Sequence, residues 1–421
     1  MSNKKHIIIL GAGVAGLSLA WMLRKYYKIT LIEKQNRFGG HSNTVSENTP
    51  DNLAVDTGFI VFNPSRYPAL CKLLSQLDIR PYPSKMTFSY SSATLSYSSV
   101  WPKGLLQGGK NMTKVWFWQM IVDIFRFKSI ALGFLKKHKD STLNMQDFLK
   151  QNRFSDSFIH YYLLPMGAAI WSANLNDINT FPAYQFLYFW KNHQLFNIFK
   201  RPQWQTIKGG SIRYVSKIID HLQKDGHTCL KNFKINRLTR SESGITIEGT
   251  KNLNADCIAF CCHADEILAN LEDATDIESK LFSTWRYNTH KTILHTDARM
   301  MPPQKNSWAS WNILKTKAGH LLTYYMNSLQ PLESKQDVFV SLIPTQYPHS
   351  DTLINPKKII KSISYSHPFF NMDSFKSQKE IQDLQGQNNC YYSGSYLGYG
   401  FHEDAINASQ KVAKHLGVTW P

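Results

Sequence analysis

The chain has 421 residues, a formal net charge of +18 at pH 7, 43% hydrophobic and 13% aromatic residues. This length exceeds what one hydrophobic core usually supports, so two domains are expected, and the aromatic content excludes intrinsic disorder. The basic residues are spread along the chain, which disfavours nucleic acid as a partner. The positive charge favours contact with an anionic membrane surface, or it simply keeps the protein soluble.

The chain begins with a short β-branched run, His6 to Leu10, that leads into the glycine pattern GAGVAG and then into a predicted helix. In such a unit the first glycine permits a tight turn, the second lets a pyrophosphate approach the backbone, and the third lets the helix pack against the strand. The spacing argues against a signal peptide. The predicted cofactor-binding residues of this turn are Gly11, Gly13, Val14, Ala15 and Gly16.

A second predicted strand, Ile29 to Ile32, ends in Glu33. An acidic residue about twenty positions beyond the glycine turn can accept hydrogen bonds from both ribose hydroxyls. The pattern therefore predicts a dinucleotide site, and a glycine turn without a ligand is the alternative.

The segment that follows, EKQNRFGGHSNTV, resembles the flavin amine oxidase superfamily, as does VDTGFIVFN further on. The resemblance implies FAD as the cofactor. It places a loop around the pyrophosphate and a second loop past the flavin ring, although His41 stands where these oxidases usually carry an arginine. The residues implied are Lys34, Arg37, Gly39, Gly40, His41, Ser42, Gly58 and Phe59.

Later segments resemble the parts of this superfamily that return to the cofactor. Ile235 falls where a backbone contact with adenine is implied. In SGSYLGYGFHEDAINAS the resemblance implies contacts with the ribityl chain and the flavin edge from Gly394, Ser395, His402 and Glu403. Ser395 replaces the usual acid, and residues 402–404 are alternatively helix caps.

These motifs predict an α/β fold in which a Rossmann-type FAD-binding domain, a parallel sheet with helices, is interleaved with an α+β substrate domain, as in amine oxidases. We assign residues 1–75, 201–265 and 385–421 to the first domain, and 76–200 and 266–384 to the second. Cys257, Cys261 and Cys262 lie in or beside a predicted buried strand and are expected to be packing thiols.

Two aromatic segments of the second domain suggest an apolar ligand. TKVWFWQMIVDIFRFKSIALGFLKKHKD has the spacing of an interfacial helix that inserts Trp116, Phe117, Trp118 and Phe125 into lipid, or of an ordinary amphipathic core helix. FPAYQFLYFWKNHQLFN is dense enough to line a long apolar pocket, or it is core.

Candidate catalytic residues are few. Lys291, predicted at the start of a strand, falls roughly where the resemblance to amine oxidases implies a lysine that holds a water at flavin N5; the alternative is an exposed lysine without this role. His295 with Asp297 is a candidate acid–base pair, or the two only hydrogen bond with each other. Tyr399 and His402 are further candidates, and no metal site is predicted.

The motifs resemble more specifically a bacterial branch of predicted NAD/FAD-binding oxidoreductases that often accompany cyclopropane fatty acid synthases. This implies an oxidoreductase that oxidises or desaturates an unsaturated or methyl-branched acyl chain by hydride transfer to flavin N5. A redox-neutral isomerase, an amine oxidase and a non-catalytic flavin-bearing lipid-binding subunit remain alternatives. No run of about eighteen apolar residues occurs. A cytoplasmic protein is expected, in contact at most with the inner face of the membrane; the sequence does not indicate an oligomeric state.

Overall fold

A parallel five-stranded sheet, built from strands at both ends and in the middle of the chain, forms the centre of one half of the molecule. The computed structural model describes residues 4–93, 95–100, 111–197, 202–316, 319–344 and 353–420. The strands of this sheet lie in the spatial order Cys390–Tyr392, Cys257–Phe260, His6–Leu10, Lys28–Ile32 and Thr228–Leu230. Each neighbouring pair is parallel. Ile7, Ile8 and Ile9 are fully buried, as expected for a central strand covered on both faces.

Helices pack against this sheet, and the last of them is the C-terminal helix of the chain. Val14–Leu23 is buried along its whole length and packs against the C-terminal helix, His402–His415. Ser409 Oγ donates a hydrogen bond of 2.8 Å to the carbonyl oxygen of Ala15 and fixes the two helices together. Two further helices, Pro68–Gln76 and Ile212–Lys224, turn apolar faces toward the same core.

A second, mixed sheet of seven strands dominates the other half. Its spatial order is Ile359–Phe369, Arg286–His295, Phe339–Pro344, Gly319–Tyr325, Trp311–Thr316, Phe88–Ser91 and Ser96–Ser98. The helices outside the parallel-sheet half are Val115–Lys137, Met145–Gln151, Asp156–Phe158 with the π-helical turn Ile159–Leu163, Leu164–Trp171, Leu175–Thr180, Ala183–Asn192, Asp276–Phe282, Met326–Leu329 and Met372–Asp383.

Smaller sheets complete the fold, and one of them, the pair Pro81–Ser84 and Trp204–Ile207, joins the two halves. Ile235–Ser241, Gly244–Gly249 and Leu253–Ala255 form an antiparallel three-stranded sheet. Thr44–Val45 pairs with Val55–Asp56, and Pro81–Ser84 pairs with Trp204–Ile207.

The α/β class and the parallel sheet predicted from the sequence are confirmed. All five parallel strands fall in segments 1–75, 201–265 and 385–421, and the seven-stranded sheet falls in the other two segments; the domain division itself stays a prediction. Lys291 lies in the middle of the strand Arg286–His295, so its predicted place at a strand start was wrong. None of the described helices is both long and apolar enough to cross a bilayer.

Candidate functional site

A large groove runs from the carboxyl ends of the parallel strands to the seven-stranded sheet. Its volume is about 1750 Å³, whereas a pocket for one drug-sized ligand is about 300–1,000 Å³. Both halves of the molecule line it, from Gly11 and Glu33 at one end to Trp171 and Trp311 at the other. The groove therefore has room for an extended cofactor and a separate substrate.

The glycine turn forms one wall of the groove. A side chain added at each of its three glycines would meet different surroundings. Gly11 has a φ of +101°, and a Cβ there would lie 2.8 Å from the carbonyl oxygen of Cys261. At Gly16 a Cβ would lie 1.9 Å from the carbonyl oxygen of Gly11, so the helix could not pack. At Gly13 a Cβ would meet nothing within 4 Å. Because Gly13 lines the groove, this open space is available to a ligand.

Glu33 stands beside the turn in a position to bind a ribose. Its Oε2 accepts a hydrogen bond of 2.9 Å from the Ala12 amide, and its Oε1 accepts one of 2.9 Å from the Gln35 amide. Each carboxylate oxygen keeps a second lone pair, and the buried side chain faces the groove. Ile235 and Lys34 line the same end, where Lys34 forms an ion pair of 2.6 Å with Glu266.

The Gly-Gly loop lines the groove and contains two buried nitrogen atoms without a partner among the described residues. Arg37 Nη2 donates to the carbonyl oxygen of Gly40 at 2.7 Å, which leaves Nη1 buried without a partner among the described residues. His41 Nε2 is likewise buried and unpartnered within the described chain. Gly39 and Ser42 lie close together within the loop. A Cβ on Gly39 would lie 2.4 Å from the Ser42 carbonyl oxygen, so the loop needs glycine there.

His41 belongs to a histidine cluster that sequence reasoning did not find. Its ring lies 6.0 Å from that of His263 and 5.0 Å from that of His367, and it stacks on Tyr365 at 4.9 Å. Burial lowers the pKa of His41 to about 3 and that of His263 to about 4, so both are neutral at pH 7. The three histidines come from distant strands and loops, and no local spacing could have indicated them.

The C-terminal helix begins at the groove. Its first residue, His402, stacks on Phe59 with 3.7 Å between ring centroids, and its Nε2 lies 3.0 Å from Ser42 Oγ. Gly394 and Ser395 line the groove immediately before it. The positive end of this helix therefore points into the groove, where it stabilises negative charge.

Glu403 does not serve the groove, and its predicted ribityl contact is corrected here. Its carboxylate accepts hydrogen bonds from the amides of Ala69 and Leu70, at 2.9 and 3.0 Å, and so caps the helix Pro68–Gln76. A capping role was the alternative that the sequence left open, although the capped helix is a distant one. Asp404 caps its own helix by accepting from the Tyr399 and Phe401 amides.

Lys291 and His295 also lie outside the residues that line the groove. His295 is fully buried in the seven-stranded sheet, where Nε2 lies 2.8 Å from Ser341 Oγ and Nδ1 accepts a hydrogen bond from the Asp297 amide. The Asp297 carboxylate is bound by Arg299. The polar groups of His295 and Asp297 are thus hydrogen-bonded to other residues of the sheet and its flanking loop. Their predicted role as an acid–base pair at the flavin edge was therefore wrong.

Of the predicted cofactor contacts, fifteen line the groove: Gly11, Gly13, Val14, Ala15, Glu33, Lys34, Arg37, Gly40, His41, Gly58, Phe59, Ile235, Gly394, Ser395 and His402. Gly16, Gly39, Ser42 and Glu403 do not, because they support the turns and helices behind it.

The far half of the groove has a large apolar wall, beside polar residues such as Thr87, Ser172 and Asn197. Side chains from two helices and the seven-stranded sheet form it: Met166, Ile170, Trp171, Phe189, Leu195, Phe88, Trp311, Tyr324 and Phe370. Tyr399 lies at the boundary, with its ring 5.5 Å from that of Phe189. Within the second aromatic segment Phe189 reaches the groove, whereas Phe186 and Trp190 are core. His193, which sequence reasoning missed, also lines this half.

The residues present fit FAD. The space in front of Gly13 would admit a pyrophosphate, and the unpartnered Arg37 Nη1 is a donor of the kind a phosphate needs. Glu33 would bind the ribose, and the C-terminal helix would face the flavin end of an extended cofactor.

Comparison with known proteins agrees with this assignment. Residues 9–77 match the family model of the NAD(P)-binding Rossmann-like domain. A 44-residue stretch is 48% identical to an L-amino-acid oxidase of Bungarus fasciatus and covers 10% of this chain and 8% of that enzyme. The chain thus aligns with only a small part of this curated relative.

Solved structures match over almost the whole chain. A fatty acid isomerase from P. acnes superposes with a TM-score of 0.74 at 15% identity and covers 99% of this chain and 100% of that one. Cyclohexylamine oxidase from Brevibacterium oxydans gives 0.70 at 14% identity, with 98% of each chain covered. These similarities agree with the predicted FAD cofactor and flavoenzyme class. Residues 9–77 thus contain an NAD(P)-binding Rossmann-like domain, and the chain as a whole has the fold of these solved structures.

Proposed function

We propose that the chain is a FAD-dependent oxidoreductase that removes a hydride from an apolar lipid, an unsaturated or methyl-branched acyl chain. The observation that carries this proposal is the continuity of the groove. The cofactor end opens directly into a chamber lined by Met166, Ile170, Trp171 and Phe189. Aliphatic and aromatic walls of this kind bind hydrocarbon by removing it from water.

The charges along the groove favour a lipid over an amine. Its described acidic lining residues are Glu33, Glu266 and Glu47. Glu33 lies beside the glycine turn, Glu266 is paired with Lys34, and Glu47 is exposed. The described lining of the apolar half thus offers no buried carboxylate to an ammonium group, which would remain unpaired at a cost.

The chain's own residues would position the substrate and move one proton. When bound, FAD supplies a hydride acceptor at its N5 atom. Tyr399 keeps its hydroxyl proton at pH 7 because burial raises its pKa well above the usual value, so it can donate a hydrogen bond but not act as a base. Burial lowers the pKa of His193 to about 4. Its Nδ1 lies 3.1 Å from the Phe189 carbonyl oxygen, so Nε2 carries the lone pair and can accept a proton. His402 would hold the flavin end of the cofactor.

A redox-neutral lipid isomerase is the second candidate. It is supported by the fold similarity to a protein whose function is fatty acid isomerisation, over 99% of this chain. The same apolar chamber would serve both reactions. The two differ in whether the substrate leaves electrons on the cofactor.

Anaerobic mixing of the FAD-loaded protein with oleate, linoleate and, as a control, cyclohexylamine separates these functions. The oxidoreductase predicts bleaching of the visible flavin absorbance by a fatty acid and not by the amine. The isomerase predicts no bleaching, with double-bond migration appearing only after the flavin has been reduced with dithionite. Bleaching by the amine alone would contradict the proposed substrate class.

A variant pair tests the proposed base. His193→Gln should lower turnover about 10²-fold or more while the FAD content is unchanged. His415→Gln, at an exposed position of the C-terminal helix, should leave both unchanged. Unaltered turnover in His193→Gln would remove His193 from the mechanism.

A further inference from the structure

The helix Val115–Lys137 has an apolar face that the described protein does not cover. Val115, Trp118, Val122 and Phe125 are 73%, 50%, 55% and 54% exposed. Their spacing of three, four and three residues places them on one side of the helix. The opposite side, which includes Phe117, Met120 and Phe127, is buried in the core. The predicted insertion of Phe117 into lipid was therefore wrong, because this side chain is core, and Trp116 is only partly exposed.

This face concentrates the exposed apolar surface of the molecule. Ten large hydrophobic residues in the described chain are exposed, and five of them lie between positions 112 and 125: Met112, Val115, Trp118, Val122 and Phe125. Single exposed hydrophobic side chains need no explanation, but a contiguous group indicates an interaction surface. The indole nitrogen of Trp118 donates a 2.8 Å hydrogen bond to the Met112 carbonyl oxygen, which holds the ring in place at the surface.

Positive charge surrounds the same face. The exposed cationic side chains of the helix and its flanks are Lys114, Arg126, Lys128, Lys136, Lys137 and Lys139. The segment 112–140 contains two acidic residues. Asp123 is buried and bound by Arg126, and Asp140 follows the end of the helix. Such a surface is complementary to anionic phospholipid headgroups around an apolar interior. A second copy of the chain would bring the same cations together, which disfavours self-association.

The helix is also connected to the wall of the groove. Lys128 Nζ donates a hydrogen bond of 3.2 Å to Asn197 Oδ1, and Asn197 lines the groove. On the buried side, the ring of Phe127 lies 5.5 Å from that of Trp190, one residue after the groove-lining Phe189. A surface that bound this helix would therefore lie close to the apolar end of the groove.

We infer that Val115–Lys137 docks the protein on an anionic phospholipid bilayer, with Trp118, Val122 and Phe125 inserted among the headgroups and the flanking lysines on lipid phosphates. Docking does not require the proposed function. If that function holds, docking brings the groove to the interface at which acyl chains are available.

Vesicle flotation of the FAD-loaded protein tests the inference. Wild-type protein should float with vesicles of phosphatidylglycerol and phosphatidylcholine, float poorly with phosphatidylcholine alone, and lose binding in 0.5 M NaCl. Val122→Gln/Phe125→Gln should lower the vesicle affinity at least tenfold, because both exposed apolar side chains are replaced by a polar residue that favours helix. Lys136→Gln/Lys137→Gln should weaken binding without altering the apolar face.

The matched control is Tyr26→Gln/Ile277→Gln, which removes two side chains that are 56% and 45% exposed elsewhere. It should float like the wild type. Absent flotation, equal binding to neutral vesicles, or an equal loss in the control would overturn the inference. So would a wild-type dimer in sedimentation velocity that Val122→Gln/Phe125→Gln converts to monomer. FAD content and flavin bleaching, measured on the same samples, report separately on the proposed function.

Discussion

Two glycines of the first turn allow cofactor binding to be separated from folding. Gly13 has φ −73° and ψ −175°, an extended conformation open to any residue, and its added Cβ would meet no protein atom within 4 Å. Gly13→Val should therefore change the free energy of unfolding by no more than about 1 kcal/mol. The new side chain would occupy the space assigned to the FAD pyrophosphate.

Displacing the pyrophosphate by one side chain would break the hydrogen bonds that it receives from the helix N-terminus. Two such charge-assisted bonds are together worth about 3–6 kcal/mol, which corresponds to an affinity for FAD about 10²- to 10⁴-fold lower. Gly16→Ala has the opposite profile. Its Cβ would lie 1.9 Å from the Gly11 carbonyl oxygen, so we expect a loss of about 3 kcal/mol or more in stability.

Urea unfolding of the apoproteins and FAD titration, followed by quenching of flavin fluorescence, measure the two effects independently. The reasoning predicts a stable Gly13→Val that binds FAD poorly and a Gly16→Ala that is hard to fold. Wild-type FAD affinity in Gly13→Val would refute the assigned position of the pyrophosphate. An unfolded Gly13→Val would refute the claim that the space in front of this residue is free.

Three further predictions concern buried ionisable side chains. Glu33→Gln should lower FAD affinity about 10- to 100-fold, because ribose hydroxyls would lose a charged acceptor; unchanged affinity in the same titration would contradict the ribose contact. Arg240→Met should lower the free energy of unfolding in urea by about 3–5 kcal/mol, because it leaves the buried carboxylate of Glu278, which Arg240 Nη1 binds at 2.7 Å, without its cationic partner. The exposed control Arg237→Met should cost less than about 1 kcal/mol. An equal effect of the two substitutions would contradict this reasoning. Burial lowers the pKa of His295 from 6.5 to about 4, so the unfolded chain binds a proton at this residue first as the pH falls. Stability should therefore decrease between pH 6.5 and 4, by about 2 kcal/mol at pH 5 from this residue alone, and the lowered pKa values of His41, His193 and His263 add to the loss. Unfolding midpoints that do not change between pH 7.5 and 5 would contradict buried neutral imidazoles.

Local sequence patterns were sufficient for the nucleotide end of the groove. The strand, the glycine turn and Glu33 lie within 28 residues, and their spacing is imposed by one βαβ unit. The Gly-Gly loop follows directly, and there the resemblance to flavin amine oxidases indicated Arg37 and His41, which line the groove. In each case the residues that contact one another are also close in sequence.

Long-range contacts explain what the sequence could not predict. The Glu403 carboxylate finds its partners 333 and 334 residues away, at the start of another helix, and so turns from the groove. His263 and His367 meet His41 only because separate parts of the chain converge there. For the helix Val115–Lys137, periodicity indicated an apolar face, but a helix with apolar residues on two sides does not reveal which of them is packed.

The most direct test of the account is titration of the purified apoprotein with FAD in the presence and absence of excess NAD⁺ or NADPH, monitored by the visible spectrum. Binding of FAD in the groove predicts saturation at one flavin per chain, a yellow protein, and no displacement by either nicotinamide nucleotide. A protein that stays colourless with excess FAD, or from which NADPH displaces the flavin, would contradict it.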